Sequence, residues 1–208
     1  MRFETVWAAW ARYAVAALLG AVVAWYAFIA NREVPILDWF DLGIHEIGHM
    51  MMAFAPTMLM FLAGSVSQVA VPLALAWYFG IVQGDRAGGG FCMAWAGASA
   101  WDVSVYIADA PVQALPLIGA GQHDWAYLLG PQGFNAMSLS SEVAGFVELV
   151  GAVLAVLGIS VAISAMVAGL KPQPVPVVAS LAGDPSVASA ADPWAEAAKL
   201  PFRYERAS

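Results

Sequence analysis

The sequence predicts an all-α, polytopic membrane protein: a helical bundle of about four transmembrane helices, with one further helix that dips into the membrane. Of the 208 residues, 62% are hydrophobic and only 11% are charged. The apolar residues also form blocks that are too long for the core of a soluble domain. Four blocks reach the ~20 residues needed to cross ~30 Å of hydrocarbon: residues 7–30, 57–82, approximately 90–109, and 143–170.

The first block is interpreted as a retained anchor, because its apolar stretch exceeds the ~7–15 residues usual in a secretory signal. In the last block, small residues recur every seven positions and predict a seam on which another helix of the chain packs closely. These small residues are Ala144, Gly151, Gly158 and Ala165. We therefore expect a transmembrane domain over residues 1–170, followed by a polar tail rich in Pro and Ala over residues 171–208.

A fifth apolar block, residues 36–55, either spans the membrane or dips into it from one side. If it does not cross, nearly all basic residues lie on one side of the membrane, which matches the positive-inside tendency. Both termini are then cytoplasmic, and the block shares the extracytoplasmic side with the 110–141 loop.

The net charge is −7, and the few basic residues form no positive face, so no nucleic-acid partner is expected.

The fifth block contains His45-Glu46-Ile47-Gly48-His49, an HExxH motif. On a helix, the two histidines share a face and can bind one metal ion, while Glu46 can reach a water on that ion. Ionisable groups at membrane depth cost ~2.5–3.5 kcal/mol each on insertion scales, and metal binding offers the compensation. This motif therefore predicts a zinc site with His45 and His49 as ligands.

Asp41 lies one helical turn before His45 and is a candidate acceptor for the second ring N–H of that histidine. A zinc enzyme also needs a third protein ligand and an open fourth position. The stretch GAGQHDWAYLLG, residues 119–130, offers His123 as the first choice. Asp124 is its alternative, either as ligand or as a hydrogen-bond acceptor behind the ligands. Asp102 and Asp109 in the predicted third span are further candidates for the third ligand.

These groups suit peptide hydrolysis, in which zinc activates the water and Glu46 is the catalytic base. HEIGH in a hydrophobic, multi-span setting resembles the site-2-protease-like membrane zinc metallopeptidases, which implies two histidine ligands and a glutamate base. The Asn-Pro…Asp-Gly type of motif that carries that family's third ligand is not found. The combination of HExGH, WDVSVYIADA and HDWAYLL is more similar to an uncharacterised group of bacterial integral membrane proteins, over most of residues 40–130. We therefore expect a multi-pass protein of the bacterial inner membrane.

A second hypothesis is a non-catalytic metal- or pigment-binding subunit of a larger respiratory or photosynthetic membrane complex. In a site that binds a tetrapyrrole pigment, however, Glu46 beside the first histidine would have no role. A di-iron carboxylate site requires a second Glu-x-x-His motif, which the three histidines do not provide. The expected partners are accordingly the lipid bilayer and either a membrane-protein substrate or partner subunits. Cys92 is the only cysteine, so a cysteine zinc site within one chain is excluded.

Overall fold

The computed structural model describes residues 3–117 and 121–170, and the predicted polar tail over 171–208 lies outside them. Within the described residues the secondary structure is helical and contains no strand, so the all-α prediction is confirmed for this part of the chain. The α-helices in this part of the chain are α1 (Phe3–Ala24), α2 (Leu37–Met51), α3 (Thr57–Trp77), α4 (Arg86–Asp109), α5 (Asp124–Leu129) and α6 (Ser140–Leu170).

Among the described residues, three helical segments are long and apolar enough to cross a membrane: Trp10–Ile29, Thr57–Val82 and Met137–Ala168. The first two include a terminal π-helical turn, Trp25–Ile29 after α1 and Tyr78–Val82 after α3. Helix α4 coincides with the third predicted span, approximately residues 90–109, but is not among these segments, so the predicted count of four spans is not confirmed. It is the central helix of the bundle and packs against α1, α3 and α6. Because its neighbours cover it, α4 can carry small and polar residues that a lipid-facing helix cannot.

The contact between α4 and α6 depends on glycines. A Cβ atom at Gly97 would lie 2.5 Å from the carbonyl oxygen of Gly151, and one at Gly90 would lie 2.7 Å from that of Gly158. Larger residues at these positions would push the two helices apart. The seam predicted from the seven-residue spacing in α6 is therefore confirmed, and its partner is α4.

Helix α2 carries the HExxH motif and packs along α3. A Cβ atom at Gly48 would lie 2.5 Å from the carbonyl oxygen of Ala63 and 2.6 Å from the Ser67 hydroxyl. The glycine of HEIGH thus lets α2 approach the backbone of α3. With 15 residues, α2 is about 22 Å long. It places its two histidines between α3 and the short helix α5.

Candidate metal centre

Three side chains from two distant parts of the chain meet at one point. The Nε2 atoms of His45 and His49 lie 2.9 and 3.0 Å from Oδ2 of Asp124. One ligand atom from each residue lies within 4.8 Å of the other two, an arrangement that can hold a metal ion. His45 and Asp124 are only 8% and 4% exposed. The two histidines come from consecutive turns of α2, and Asp124 is the first residue of α5.

Hydrogen bonds at the far side of each ring determine which nitrogen faces this point. Nδ1 of His45 donates to Oε1 of Gln68 over 3.0 Å, and Nδ1 of His49 donates to the carbonyl oxygen of Met60 over 2.8 Å. Both acceptors are oxygens that cannot donate, so each Nδ1 carries the proton. In the neutral imidazoles, both Nε2 lone pairs therefore face Asp124 and are available to a metal.

The orientation of Gln68 is itself determined by a second hydrogen bond. Its amide nitrogen donates to Oδ2 of Asp102 over 2.6 Å, which leaves its oxygen facing His45. Gln68 is 3% exposed, and a buried amide with both ends satisfied is held firmly. Asp102, a candidate third ligand from the sequence, thus lies behind Gln68 and outside the group of three ligands.

A cation among the three ligand atoms would be favourable. Lone pairs of two neutral imidazoles and of a carboxylate would otherwise face one another at hydrogen-bond distance. Protonation of both rings is one solution, but their centroids are 4.7 Å apart and two imidazolium ions at that distance repel each other. A single metal ion satisfies all three acceptors from one position.

Gly64 of α3 leaves space at the same point. A Cβ atom at this residue would lie 2.6 Å from Nε2 of His45 and 2.6 Å from Nε2 of His49. Any side chain other than hydrogen would therefore occupy the position that both ligand nitrogens face. The missing side chain and the donor set of two imidazoles and one carboxylate both fit a small metal ion.

Asp124 reaches the histidines because α5 is attached to two helices. The backbone N–H of Asp124 donates to the hydroxyl oxygen of Tyr106 on α4 over 3.1 Å. The indole N–H of Trp125 donates to the Ser65 hydroxyl on α3 over 3.0 Å. These two contacts hold the start of α5 against the bundle, so that the carboxylate of Asp124 points towards α2.

His123, the first choice for the third ligand, lies outside the group although it adjoins Asp124. Its Nδ1 accepts the backbone N–H of Ala126 over 3.3 Å, and its Nε2 lies 3.4 Å from Oδ2 of Asp109. Burial lowers the pKa of His123, although the Asp109 carboxylate raises it in part. Asp109 also accepts the backbone N–H groups of Ala114 and Leu115 and lies outside the group.

The expectation that Asp41 accepts a hydrogen bond from His45 is wrong. Asp41 instead accepts the indole N–H of Trp95 over 2.8 Å and the hydroxyl of Ser99 over 3.0 Å, both on α4. It is buried and links α2 to the central helix. The acceptor for His45 is Gln68 on α3, so Asp41 does not orient the ligand.

Glu46 follows His45 directly and is exposed. Sequence reasoning identified this residue but missed Gln68, Gly64 and the carbonyl of Met60. Gln68 carried one usable signal, since an amide within an apolar span needs a hydrogen-bond partner. Glycine and a backbone carbonyl carry no such signal, because their roles depend only on which helix lies opposite.

No family model, no curated protein and no solved structure matches the chain. Its assignment to a functional class therefore rests on the chemistry of the candidate metal centre and on the three helical segments of the described residues that are long and apolar enough to cross a membrane.

Proposed function

We propose that the protein is a membrane-embedded, zinc-dependent peptidase that hydrolyses peptide bonds of other membrane proteins. The observation that carries this proposal is the meeting of His45, His49 and Asp124 at one buried point, with the exposed Glu46 beside the first ligand. Two imidazoles and one carboxylate form a common ligand set of catalytic zinc and leave the fourth position open.

Zinc, when bound, polarises the scissile carbonyl group and lowers the pKa of a coordinated water towards ~7. The neutral tautomers imposed by Gln68 and Met60 suit this ion, because it binds imidazole nitrogen through its lone pair. The carboxylate of Asp124 offsets part of the ionic charge inside the protein.

Glu46 is the proposed general base. It lies about 100° around α2 from His45, so its carboxylate is adjacent to the ligands without joining them. From there it takes a proton from the attacking water and delivers it to the leaving nitrogen. Its exposure is consistent with this role, because water and the substrate must reach it.

Helix α4 is proposed as an additional span, the third of four along the chain, with both termini cytoplasmic and α2 entering from the extracytoplasmic side of a bacterial inner membrane. The length of α2, about 22 Å, supports this arrangement because it is shorter than the ~30 Å hydrocarbon layer.

The depth of the metal position follows from Gly64, which adjoins it. Gly64 lies seven residues into α3, about 10 Å along its axis. Cleavage is therefore expected within the extracytoplasmic half of the bilayer, which favours single-span membrane proteins as substrates.

The test separates metal binding from catalysis. Glu46→Gln keeps the size of the side chain but cannot accept the proton, so zinc should remain at one per chain while cleavage falls by ~100-fold or more. Glu142→Gln is the matched control, because it makes the same change at an exposed position on α6 and should leave cleavage intact. Zinc is measured in the purified protein, and cleavage is measured against a co-expressed library of single-span substrates.

Equal cleavage by wild type and Glu46→Gln would remove Glu46 from the mechanism. If the wild type binds zinc but cleaves nothing and co-purifies with other subunits, the protein is instead the non-catalytic subunit of a larger complex. A bound pigment or iron in the optical spectrum would contradict the zinc peptidase directly.

A further inference from the structure

His123 is a buried histidine beside a metal ligand that does not itself reach the metal position. It is 1% exposed, and its Nε2, which lies 3.4 Å from Oδ2 of Asp109, is the one buried side-chain polar atom of the described residues without a hydrogen bond. Burying the polar nitrogens of a histidine costs free energy. Because His123 does not bind the metal, another role must account for its burial. The contacts of its other nitrogen and of its ring supply one.

The first contact determines where α5 begins. His123 is the N-cap residue of α5, and its Nδ1 accepts the backbone N–H of Ala126 in the first turn. A helix of six residues has little stability of its own, so its cap and its packing decide which residue starts it. With His123 as the cap, Asp124 becomes the first helical residue.

The second contact places that start against α4. The imidazole of His123 stacks on the ring of Tyr106, with centroids 4.1 Å apart and planes inclined by 25°. The hydroxyl oxygen of the same tyrosine accepts the backbone N–H of Asp124. One side chain of α4 therefore holds both the cap and the ligand that follows it.

We propose that His123 is a positioning residue of the metal centre: it caps α5 and stacks on Tyr106 so that the carboxylate of Asp124 reaches His45 and His49. This inference rests on the metal centre of the proposed function but not on peptide hydrolysis. Residues that orient a metal ligand without binding the ion usually change metal affinity by ~10–100-fold when they are replaced.

Two substitutions at the same position separate positioning from ligation. In asparagine, Oδ1 is attached to Cγ, as Nδ1 is in histidine, so His123→Asn keeps the cap acceptor but has no Nε2. His123→Leu loses both nitrogens. We expect the dissociation constant for zinc to rise by ~10–100-fold in His123→Leu and to be partly restored in His123→Asn, which keeps the cap acceptor but loses the ring stack on Tyr106. The measurement is competition with a chromophoric chelator in detergent, repeated with Co²⁺ so that its absorption spectrum reports the ligand set.

Two further variants complete the test: one removes a second contact that positions Asp124, and the other is a control for general destabilisation. Tyr106→Phe keeps the ring stack but removes the acceptor for the Asp124 N–H, so it should also weaken zinc binding. Asp85→Ala removes the N-cap of α4, where Asp85 accepts the N–H groups of Ala87 and Gly88. That cap lies about 30 Å along α4 from Tyr106, so Asp85→Ala should lower the thermal unfolding temperature and leave the zinc affinity unchanged.

Unchanged zinc affinity in His123→Leu would overturn the inference. So would equal weakening in His123→Asn and His123→Leu with an altered Co²⁺ spectrum, which would make His123 a ligand. Equal weakening in Asp85→Ala would reduce the effect to general destabilisation and overturn it too. A wild type that binds neither ion stoichiometrically would overturn both this inference and the zinc site. The expected affinities in a wild type that cleaves nothing would support the inference and contradict only the peptidase.

Discussion

Replacing Gly64 by alanine adds one methyl group at the point that both ligand histidines face. The new Cβ atom would lie 2.6 Å from the Nε2 atoms of His45 and His49, whereas ordinary van der Waals contact begins at 3.4 Å. To relieve the contact, an imidazole must move from 2.6 to 3.4 Å, a shift of about 0.8 Å. Zinc sites tolerate ligand distances within about 0.2 Å of their ideal values, so this shift takes a ligand out of the site.

The imidazoles cannot make this movement freely. Each Nδ1 is hydrogen bonded, to Gln68 in one ring and to the carbonyl of Met60 in the other, and losing such a bond costs ~0.5–1.5 kcal/mol. Disturbing the support of one ligand alone weakens metal binding by ~10–100-fold. We therefore expect Gly64→Ala to lower zinc affinity by at least about a hundredfold, or ~2.8 kcal/mol.

The assay is zinc stoichiometry after purification, followed by chelator competition. Gly43→Ala is the matched control, because it makes the same change on α2 where a Cβ atom would meet nothing within 4 Å. That variant should keep its zinc and gain ~0.5–1 kcal/mol of stability, as alanine does over glycine within a helix. If Gly64→Ala binds zinc as tightly as the wild type, the ion does not lie between His45 and His49, which would contradict the proposed site.

Three further predictions concern the surroundings of the ligands. Gln68→Leu removes the acceptor for Nδ1 of His45, so it should raise the zinc dissociation constant by ~10–100-fold in chelator competition; an unchanged constant would show that the tautomer needs no such support. Gly48→Ala places a Cβ atom against the carbonyl oxygen of Ala63, so it should reduce the free energy of unfolding by ~1–3 kcal/mol, measured by denaturation in detergent; a stabilised variant would contradict the close packing of α2 on α3. Acidification from pH 7 to 5 should release the metal, because protons compete for both imidazole nitrogens; retention of metal in equilibrium dialysis at pH 5 would argue against histidine ligation.

Local pattern was sufficient for the five long helices and for two of the three ligands, but it did not predict the short helix α5, which lies in the segment expected to be a loop. The length and hydropathy of each apolar block predicted helices that the structure contains, because a segment in lipid must satisfy its backbone hydrogen bonds internally. The spacing of His45 and His49 placed both on one face of α2 for a similarly local reason, the helical repeat of 3.6 residues. Whether α4 crosses the membrane stays a prediction, since its composition reflects burial among other helices rather than contact with lipid.

Only the tertiary structure decided which groups complete the metal centre. His123 and Asp124 are adjacent in the sequence, and the choice between them depends on where α5 begins and on the contact of that point with Tyr106. Asp41 shares a stripe of α2 with the histidines, yet it pairs with α4, while Gln68 of α3 supports His45. Such pairings join residues far apart in the chain, so they follow from the packing of helices on one another and not from the spacing within any one of them.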